Sequence, residues 1–220
     1  GGACAAGRAG GVGDVAAAAV QRGLDHGRAS GERRVARGRL APEEAEAILA
    51  RITAADDDEA LGDCDLIVEA TTEVMDVKRA VFARLDAVAR EDAILASNTS
   101  GLSITQMGRS TGRPERVLGL HFFNPASVMR LVEVIAGEDT SPEATQAAVD
   151  LVTRIGKTPV RVAECPGFLV NRVIVRALTE AYRRAAETGA DRAAADAAVV
   201  ESGPAPMGPF ALGDLIGLDT

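Results

Sequence analysis

Four polar residues of this chain lie in short stretches whose composition suits a proton-transfer site. They are Ser100 at the end of Ala-Ser-Asn-Thr-Ser, His121 at the start of His-Phe-Phe-Asn-Pro, Glu133 within Leu-Val-Glu-Val, and Asn171 near the end of Pro-Gly-Phe-Leu-Val-Asn-Arg. His121 is one of only two histidines among 220 residues, and histidine is the side chain whose charge changes near neutral pH. The four residues therefore predict a site that moves a proton, with His121 as the base.

Glu133 is the residue best suited to pair with His121. It has apolar neighbours on both sides, and a carboxylate that is buried without a partner is costly. A hydrogen bond between this carboxylate and the imidazole would fix the tautomer of the base. An isolated histidine is more often a hydrogen-bonded core residue, and Asn171 could equally cap the first turn of a helix. Both alternatives are open at this point.

Short apolar runs predict the strands that would position these residues. Residues 65–70, 93–96 and 117–121 have the composition of buried parallel strands, and the residues between them follow helical patterns, as at Val77, Val81, Leu85 and Val88. This alternation predicts parallel β-α-β units in an α/β sheet. Polar residues follow all three strands and would meet at the carboxyl edge of the sheet. The alternative is that they only cap turns.

The remaining patterns predict two domains. Helices are expected over 15–37, from Pro42 and over 142–155, with further strands at 130–135 and 158–162. Residues 1–13 are almost entirely Gly, Ala and Arg, so we expect no confident strand there. After Pro166-Gly167 only helical patterns follow. We predict a parallel-sheet domain over residues 1–163 and a smaller all-α domain over 164–220.

Composition excludes several classes of protein. The net charge of −8 argues against nonspecific nucleic-acid binding, which depends on basic surface. No apolar run approaches the roughly 18–20 residues that span a bilayer, and the sequence shows no legible signal peptide, so we expect no membrane partner and a cytoplasmic location. The three cysteines, Cys4, Cys64 and Cys165, are widely spaced. They favour a reducing compartment and predict no metal site.

Several longer motifs, in matching order and spacing, resemble the 3-hydroxyacyl-CoA dehydrogenase family, whose short-chain members are 3-hydroxybutyryl-CoA dehydrogenases. They are Asn98-Thr99-Ser100, Gly119-Leu120-His121-Phe122-Phe123-Asn124-Pro125, Pro166-Gly167-Phe168-Leu169-Val170-Asn171-Arg172 and Pro206-Met207-Gly208-Pro209-Phe210. The resemblance extends from about Asp14 to Thr220. It implies an incomplete Rossmann-type parallel-sheet domain followed by a helical domain, with NAD and an acyl-CoA meeting between them. It also implies a homodimer in the intact protein and a place in fatty-acid metabolism and β-oxidation.

The resemblance also implies roles for individual residues. His121 would take the proton of the substrate 3-hydroxyl while hydride leaves C3, and Glu133 would support the imidazolium that forms. Ser100 and Asn171 would hydrogen-bond the substrate oxygens. Contacts to NAD would come from Asp14, Glu73, Lys78, Ser100 and Asn124, and contacts to coenzyme A from Ser30 and Arg37. For Ser30 and Arg37 a solvated helix face is an equally good interpretation.

The chain departs from the family pattern at its start. The family opens with a strand and a G-x-G-x-x-G turn, which this sequence lacks before Asp14. Residues 11–16 fit G-x-G-x-x-A, but a single match of this kind is weak. We favour a second register, in which Asp14 ends the family's second strand and binds the adenosine ribose. Gly101 also stands where the family commonly has serine.

Two further expectations follow from these departures. Both ends of the chain look incomplete, so we expect a fragment with weak or no activity. An alternative function is a non-catalytic acyl-CoA-binding or interaction module with a degenerate dinucleotide site, and a third is a relative acting on a polyol or sugar acid. The complete set of Ser100, His121, Glu133 and Asn171 favours the dehydrogenase.

Overall fold

The computed structural model describes residues 10–13, 17–55, 57–203 and 205–216. The chain divides into two compact units, Gly1–Phe168 and Leu169–Thr220. The predicted domain boundary between residues 163 and 164 lies slightly earlier in the chain. Phe168 explains the difference, because its side chain is 0% exposed and belongs to the core of the first unit.

The first unit is built on a five-stranded sheet. Its strands, in spatial order, are β3 (Leu66–Glu69), β4 (Ile94–Ser97), β5 (Val117–Phe122), β6 (Leu131–Ala136) and β7 (Thr158–Ala163). Neighbouring strands are parallel except for β5 and β6, which are antiparallel. This one reversal is possible because β5 and β6 are joined by a short loop, whereas parallel neighbours need a crossover connection.

A second sheet has two parallel strands, β1 (Gly10–Val12) and β2 (Ile52–Ala54). The composition-based prediction that residues 1–13 hold no confident strand is therefore wrong at β1, whereas the favoured register, in which a strand leads to Asp14, agrees with it. Gly10 N donates to Arg51 O and Ala55 N donates to Val12 O, both at 2.9 Å. Pairing with β2 outweighs the low strand propensity of glycine, because propensity in sheets depends strongly on the neighbouring strand.

Five helices accompany these strands in the described part of the first unit. They are α1 (Ala17–Ala36), α2 (Pro42–Leu49), α3 (Met75–Val88), α4 (Ile104–Gly108) and α5 (Pro142–Arg154). The helix expected around Val77 is present as α3, but its buried side chains are Lys78, Phe82 and Leu85. Val77 is 42% exposed. The buried face of α3 therefore starts at Lys78, one residue after the expected position, and includes this lysine.

Strand residues alternate between two apolar clusters, one on each face of the five-stranded sheet. Leu95 and Val117 belong to the cluster that α3 and α4 complete, while Ala96 and Leu118 belong to the one completed by α5. A Cβ at Gly119 would lie 3.0 Å from both Ile104 and Ile135, so the close approach of α4 to the sheet requires glycine.

The second unit consists of α6 (Val170–Thr188), α7 (Arg192–Ser202) and α8 (Pro209–Ile216). Gly189 and Gly203 end the first two of these helices with positive φ. The carboxylate of Asp196 accepts hydrogen bonds from the backbone N of Phe210 and Ala211, and so caps α8. No helix among the described residues of either unit has the length and apolarity needed to cross a bilayer.

Candidate active site

The predicted base and its carboxylate lie opposite each other on antiparallel strands. The register of β5 and β6 pairs His121 with Glu133, and directly opposed side chains share one face of a sheet. Nδ1 of His121 lies 2.7 Å from Oε2 of Glu133. The His121 side chain is 7% exposed and that of Glu133 is 0% exposed. The structure thus brings together the two residues on which the predicted chemistry depends.

The tautomer and orientation of His121 follow from its surroundings. An ionised carboxylate only accepts hydrogen bonds, so Nδ1 is the donor to an ionised Glu133, and Nε2 is then the ring nitrogen available to take up a proton. The rings of Phe123 and Phe168 pack on the imidazole, with centroids 4.6 and 5.8 Å from its own. Phe168 has φ of +47°, a conformation that bulky residues rarely adopt. This strained turn at Phe168 holds its ring against the base.

A second charged group lies where β3 and β4 end. Nζ of Lys78 donates to Oε1 and Oε2 of Glu69, at 2.9 and 3.1 Å. The hydroxyls of Thr71 and Ser97 each donate to Glu69 at 2.7 Å. Burial by itself raises the pKa of the Glu69 carboxyl, but hydrogen bonds from Thr71, Ser97 and Lys78 outweigh it and lower the pKa below its ordinary value. Glu69 is therefore a stable buried anion.

Glu73 connects this buried pair to the loop that carries Ser100. Its Oε1 accepts hydrogen bonds from Ser100 N at 2.9 Å and from the Thr99 hydroxyl. Its Oε2 lies 3.4 Å from Nζ of Lys78. The Glu73 side chain is 47% exposed, so its carboxylate can also accept a hydrogen bond from a ligand.

Asn98 joins the Ser100 loop to the strand of the base. Its amide oxygen accepts a hydrogen bond from Phe122 N at 2.8 Å, and its own backbone N donates to Glu69 O at 2.8 Å. The ends of β3, β4 and β5 are therefore hydrogen-bonded to one another at one edge. Among the described residues, no group of His, Cys, Asp and Glu side chains is arranged to hold a metal ion.

Five predicted site residues remain. Asn124 is exposed in the loop between β5 and β6, Ser30 is half-buried on α1, and Arg37 is exposed just after that helix. Asn171 belongs to the second unit, in the first turn of α6. Asp14 lies outside the described residues. The ligand contacts assigned to these five residues stay predictions.

Sequence reasoning missed the part played by Glu69. The sequence places Glu69 at the end of an apolar strand and at the start of a polar stretch, but it gives this residue no partner and no role. The available signal was an ionisable residue inside an apolar run, with a lysine nine positions later. A carboxylate that is buried in a strand needs a cation or several hydrogen-bond donors. A lysine on the next helix is therefore an expected partner.

Comparison with known proteins adds the following. Residues 3–165 match the family model described as 3-hydroxyacyl-CoA dehydrogenase, NAD binding domain, and residues 167–220 match the C-terminal domain of 3-hydroxyacyl-CoA dehydrogenase. A 3-hydroxybutyryl-CoA dehydrogenase of Clostridioides difficile is 47% identical over 172 residues, which are 78% of this chain and 61% of that protein. A 3-hydroxyadipyl-CoA dehydrogenase of Escherichia coli is 43% identical over 94% of this chain and 43% of its own length.

Solved structures agree with these matches. The crystal structure of an (S)-3-hydroxybutyryl-CoA dehydrogenase from Ralstonia eutropha covers 100% of this chain with a TM-score of 0.95, at 36% identity and over 78% of that chain. These findings confirm the predicted fold class, a Rossmann-type sheet followed by helices. The chain spans less than two thirds of the length of the two curated relatives.

Proposed function

This chain belongs to the 3-hydroxyacyl-CoA dehydrogenase family, and on that premise we propose that it interconverts an L-3-hydroxyacyl-CoA and the 3-oxoacyl-CoA, with NAD as cofactor. The observation that carries the proposal is the buried hydrogen bond between His121 and Glu133. The two curated relatives are named for the 3-hydroxybutyryl and 3-hydroxyadipyl thioesters, so short acyl chains are the substrates we propose.

His121 acts as the general base in the oxidation direction. Nε2 accepts the proton of the substrate 3-hydroxyl, and the ring returns it to the 3-oxo group in the reverse reaction. The imidazole becomes a cation in the first of these steps. Glu133, fully buried and 2.7 Å from Nδ1, stabilises that cation, because charges attract more strongly where water is excluded. Phe123 and Phe168 keep the ring in place.

The residues at the carboxyl edge of β3, β4 and β5 suit the binding of a ribose of the dinucleotide. The half-exposed carboxylate of Glu73 is an acceptor for ribose hydroxyls, and Ser100 and Asn124 are exposed at the same edge. NAD, when bound, supplies the acceptor for the hydride that leaves C3. We also assign Asp14 to the adenosine ribose. Lys78, whose Nζ lies 3.4 Å from Oε2 of Glu73, stays a predicted contact of NAD.

One face of α1 fits the phosphates of coenzyme A. Arg33 and Arg34 lie three and four residues after Ser30 on α1, and residues at these spacings are neighbours on a helix. Arg37 follows just after the end of the helix. The three arginines are exposed, and they concentrate positive charge on a protein whose net charge is −8. Arginine is well suited to phosphate because its donors form a planar fork. Asn171 and Ser100 would hydrogen-bond the acyl oxygens.

The remaining parts of the proposal concern the setting of the enzyme. We propose a cytoplasmic homodimer that works in fatty-acid β-oxidation. The apolar side chains that α6 and α8 leave exposed support the dimer, among them Val173 at 60%, Val175 at 58% and Leu215 at 69%. Sedimentation velocity of the complete gene product would contradict this proposal if it gave a monomer at micromolar concentration.

Replacing His121 tests the proposed reaction. We expect His121→Gln, in the protein encoded by the complete gene, to lower kcat by about 10²–10⁴-fold, because glutamine cannot take up the proton. The affinity for NADH should be nearly unchanged. The rate is followed through NADH absorbance with acetoacetyl-CoA as substrate.

The second histidine provides a matched control. His26 is exposed on α1, so His26→Gln should keep the wild-type kcat. Normal turnover in His121→Gln would remove the imidazole from the mechanism. Acetoacetyl-CoA binding without any turnover in the wild-type protein would instead favour the non-catalytic acyl-CoA-binding module.

A further inference from the structure

Glu164 joins the end of β7 to the start of α4. It follows directly after β7 and is half-buried. Its Oε1 accepts a hydrogen bond from the Ser103 hydroxyl, and its Oε2 accepts hydrogen bonds from Thr105 N at 3.1 Å and from the Thr105 hydroxyl. Ser103 and Thr105 lie in the first turn of α4, where backbone N–H groups have no partner within the helix. One carboxylate therefore connects two segments that are far apart in the chain.

The two hydroxyls that donate to Glu164 each accept a hydrogen bond as well. Ser103 Oγ accepts from Gln106 N at 3.2 Å, and Thr105 Oγ1 accepts from Glu138 N at 2.9 Å. A hydroxyl has a single proton, so in both residues it is directed to the carboxylate. Thr105 is buried, and the loss of its acceptor would leave a buried donor unsatisfied. The connection to α4 therefore depends on an acceptor at position 164.

A tight turn of residues 165–168 begins immediately after Glu164. Phe168 N donates to the carbonyl oxygen of the first residue of the turn at 2.9 Å, and Gly167 has φ of +72°, as the third residue of a type II turn requires. A Cβ at Gly101 would lie 3.2 Å from Gly167 N. The turn therefore lies close against the backbone that leads into α4.

The ring of Phe168 is held on the catalytic imidazole at the end of this turn. Phe168 has φ of +47°, its side chain is fully buried, and its ring centroid lies 5.8 Å from that of His121. A bulky residue keeps such a backbone only where the surrounding structure holds it. Glu164 holds the turn at its start, and packing holds the ring at its end. A turn released from α4 would relax and move the ring away from the base.

We propose that Glu164 is a positioning residue for His121. By fixing the turn of residues 165–168 to α4, its carboxylate holds the Phe168 ring against the imidazole in the orientation that proton transfer needs. Glu164 acts through Phe168 and not through a ligand. The reaction in which His121 takes part rests on the proposed function, whereas the position of the ring does not.

The first experiment needs no ligand. The imidazole of His121 is observed by NMR in the complete gene product, labelled at histidine, and its signal is assigned by its loss in His121→Gln. An aromatic ring in contact with an imidazole displaces the resonances of its carbon-bound protons. We expect Glu164→Ala to move the His121 signal in the same direction as Phe168→Leu, which removes the ring itself. The signal of His26, which is exposed on α1, should not move.

Ser141→Ala serves as the matched control. The Ser141 hydroxyl accepts a hydrogen bond from Ala144 N at 3.1 Å and caps α5, so this variant also removes a helix cap from the first unit. It should leave the His121 signal in place. The same movement in Ser141→Ala would overturn the proposal, because any loss of a cap would then produce it.

Glu164→Gln is the conservative variant. Its amide retains one oxygen that can accept a hydrogen bond, so the His121 signal should move less than in Glu164→Ala. This variant also serves as the test if the alanine variant does not fold. A His121 signal at the wild-type position in the folded Glu164 variants would overturn the proposal.

The second experiment asks whether Glu164 and Phe168 act as one unit in turnover. It measures kcat with acetoacetyl-CoA for Glu164→Ala, for Phe168→Leu and for the double variant. We expect about tenfold lower kcat in each single variant, because a displaced catalytic group slows the chemical step. The double variant should show no further loss, since residues that act through each other are non-additive. The affinity for NADH should stay near that of the wild type.

Two kinetic results would contradict the proposal. Losses of kcat that multiply in the double variant would mean that Glu164 does not act through Phe168. Weaker NADH binding with an unchanged kcat would mean that Glu164 serves the cofactor site and not the base. If the wild type shows no turnover, the proposed function fails, while the NMR experiment still decides the position of the ring.

Discussion

Two groups of ion pairs in this protein have similar chemistry but opposite surroundings. In the first unit, Lys78 pairs with Glu69 at 2.9 Å and both side chains are buried, with exposures of 1% and 0%. On α6 of the second unit, Glu180 accepts from Arg183 at 2.5 Å and from Arg184 at 3.0 Å, with side-chain exposures between 44% and 68%. The contact distances alone would rank the exposed group as the stronger.

The pKa values show why distance is a poor guide. Hydrogen bonds from Arg183 and Arg184 lower the pKa of Glu180 to about 2. The pKa of Glu69 is lowered too, but only after its hydrogen bonds have overcome the effect of burial. The shift at Glu180 contributes little to stability, because solvent and salt screen exposed pairs and long side chains lose entropy when they are held. Burial therefore decides which of the two groups the fold depends on.

Removing the buried cation should give the largest effect on stability. We expect Lys78→Met to lower the free energy of unfolding by about 3–5 kcal/mol, because Glu69 would keep a buried charge without its partner. Urea unfolding at pH 7, followed by circular dichroism, measures this. The double variant Glu69→Gln/Lys78→Met should recover most of the loss. A single variant as stable as the wild type would mean that water reaches Glu69.

Acid should weaken the buried group in a smaller, graded way. The folded-state pKa of Glu69 lies below the ordinary value of 4.5, so its contribution to stability is fully present above that pH and is lost as the pH falls through the lowered pKa. We expect the wild type to lose more stability between pH 5 and pH 3 than Glu69→Gln/Lys78→Met does. Urea unfolding at several pH values tests this, and parallel curves would contradict it.

The smallest effect is expected on α6. Arg183→Met removes two ion pairs, with Glu180 and Glu187, yet all three side chains are about half exposed. We expect its melting temperature to equal that of the wild type in 150 mM NaCl, where exposed charges are largely screened. A clear fall in melting temperature would mean that the exposed ion pairs on α6 also contribute to stability.

Much of the secondary structure could be predicted from local patterns in the sequence. The helix that begins at Pro142 and the strands that end at Ser97 and Phe122 are present with bounds close to those expected, and the helix expected around Val77 is present as α3. Their apolar residues recur with the helix or strand period, and that pattern depends on the chain alone. Glycine and alanine gave no such signal for β1, because its formation depends on the distant β2. Only the favoured register of the family resemblance placed a strand before Asp14.

The chemistry-bearing residues could be predicted to different degrees. His121 and Glu133 were chosen from residue type and neighbours, and the antiparallel register of β5 and β6 then placed them opposite each other. Lys78 was assigned a ligand contact through the resemblance, but its buried position was not foreseen. A lysine between a valine and an arginine is expected to be a surface residue unless Glu69 is known to lie within hydrogen-bond distance.

By itself the sequence determined which residues are available for chemistry, the order of strands and helices along the chain, and membership of the family. Only the tertiary structure decided which charges are buried and which partners they have. The reason is physical, because periodicity and composition act between near neighbours in the chain. The pairing of Glu69 with Lys78, or of His121 with Glu133, depends on strand order and register.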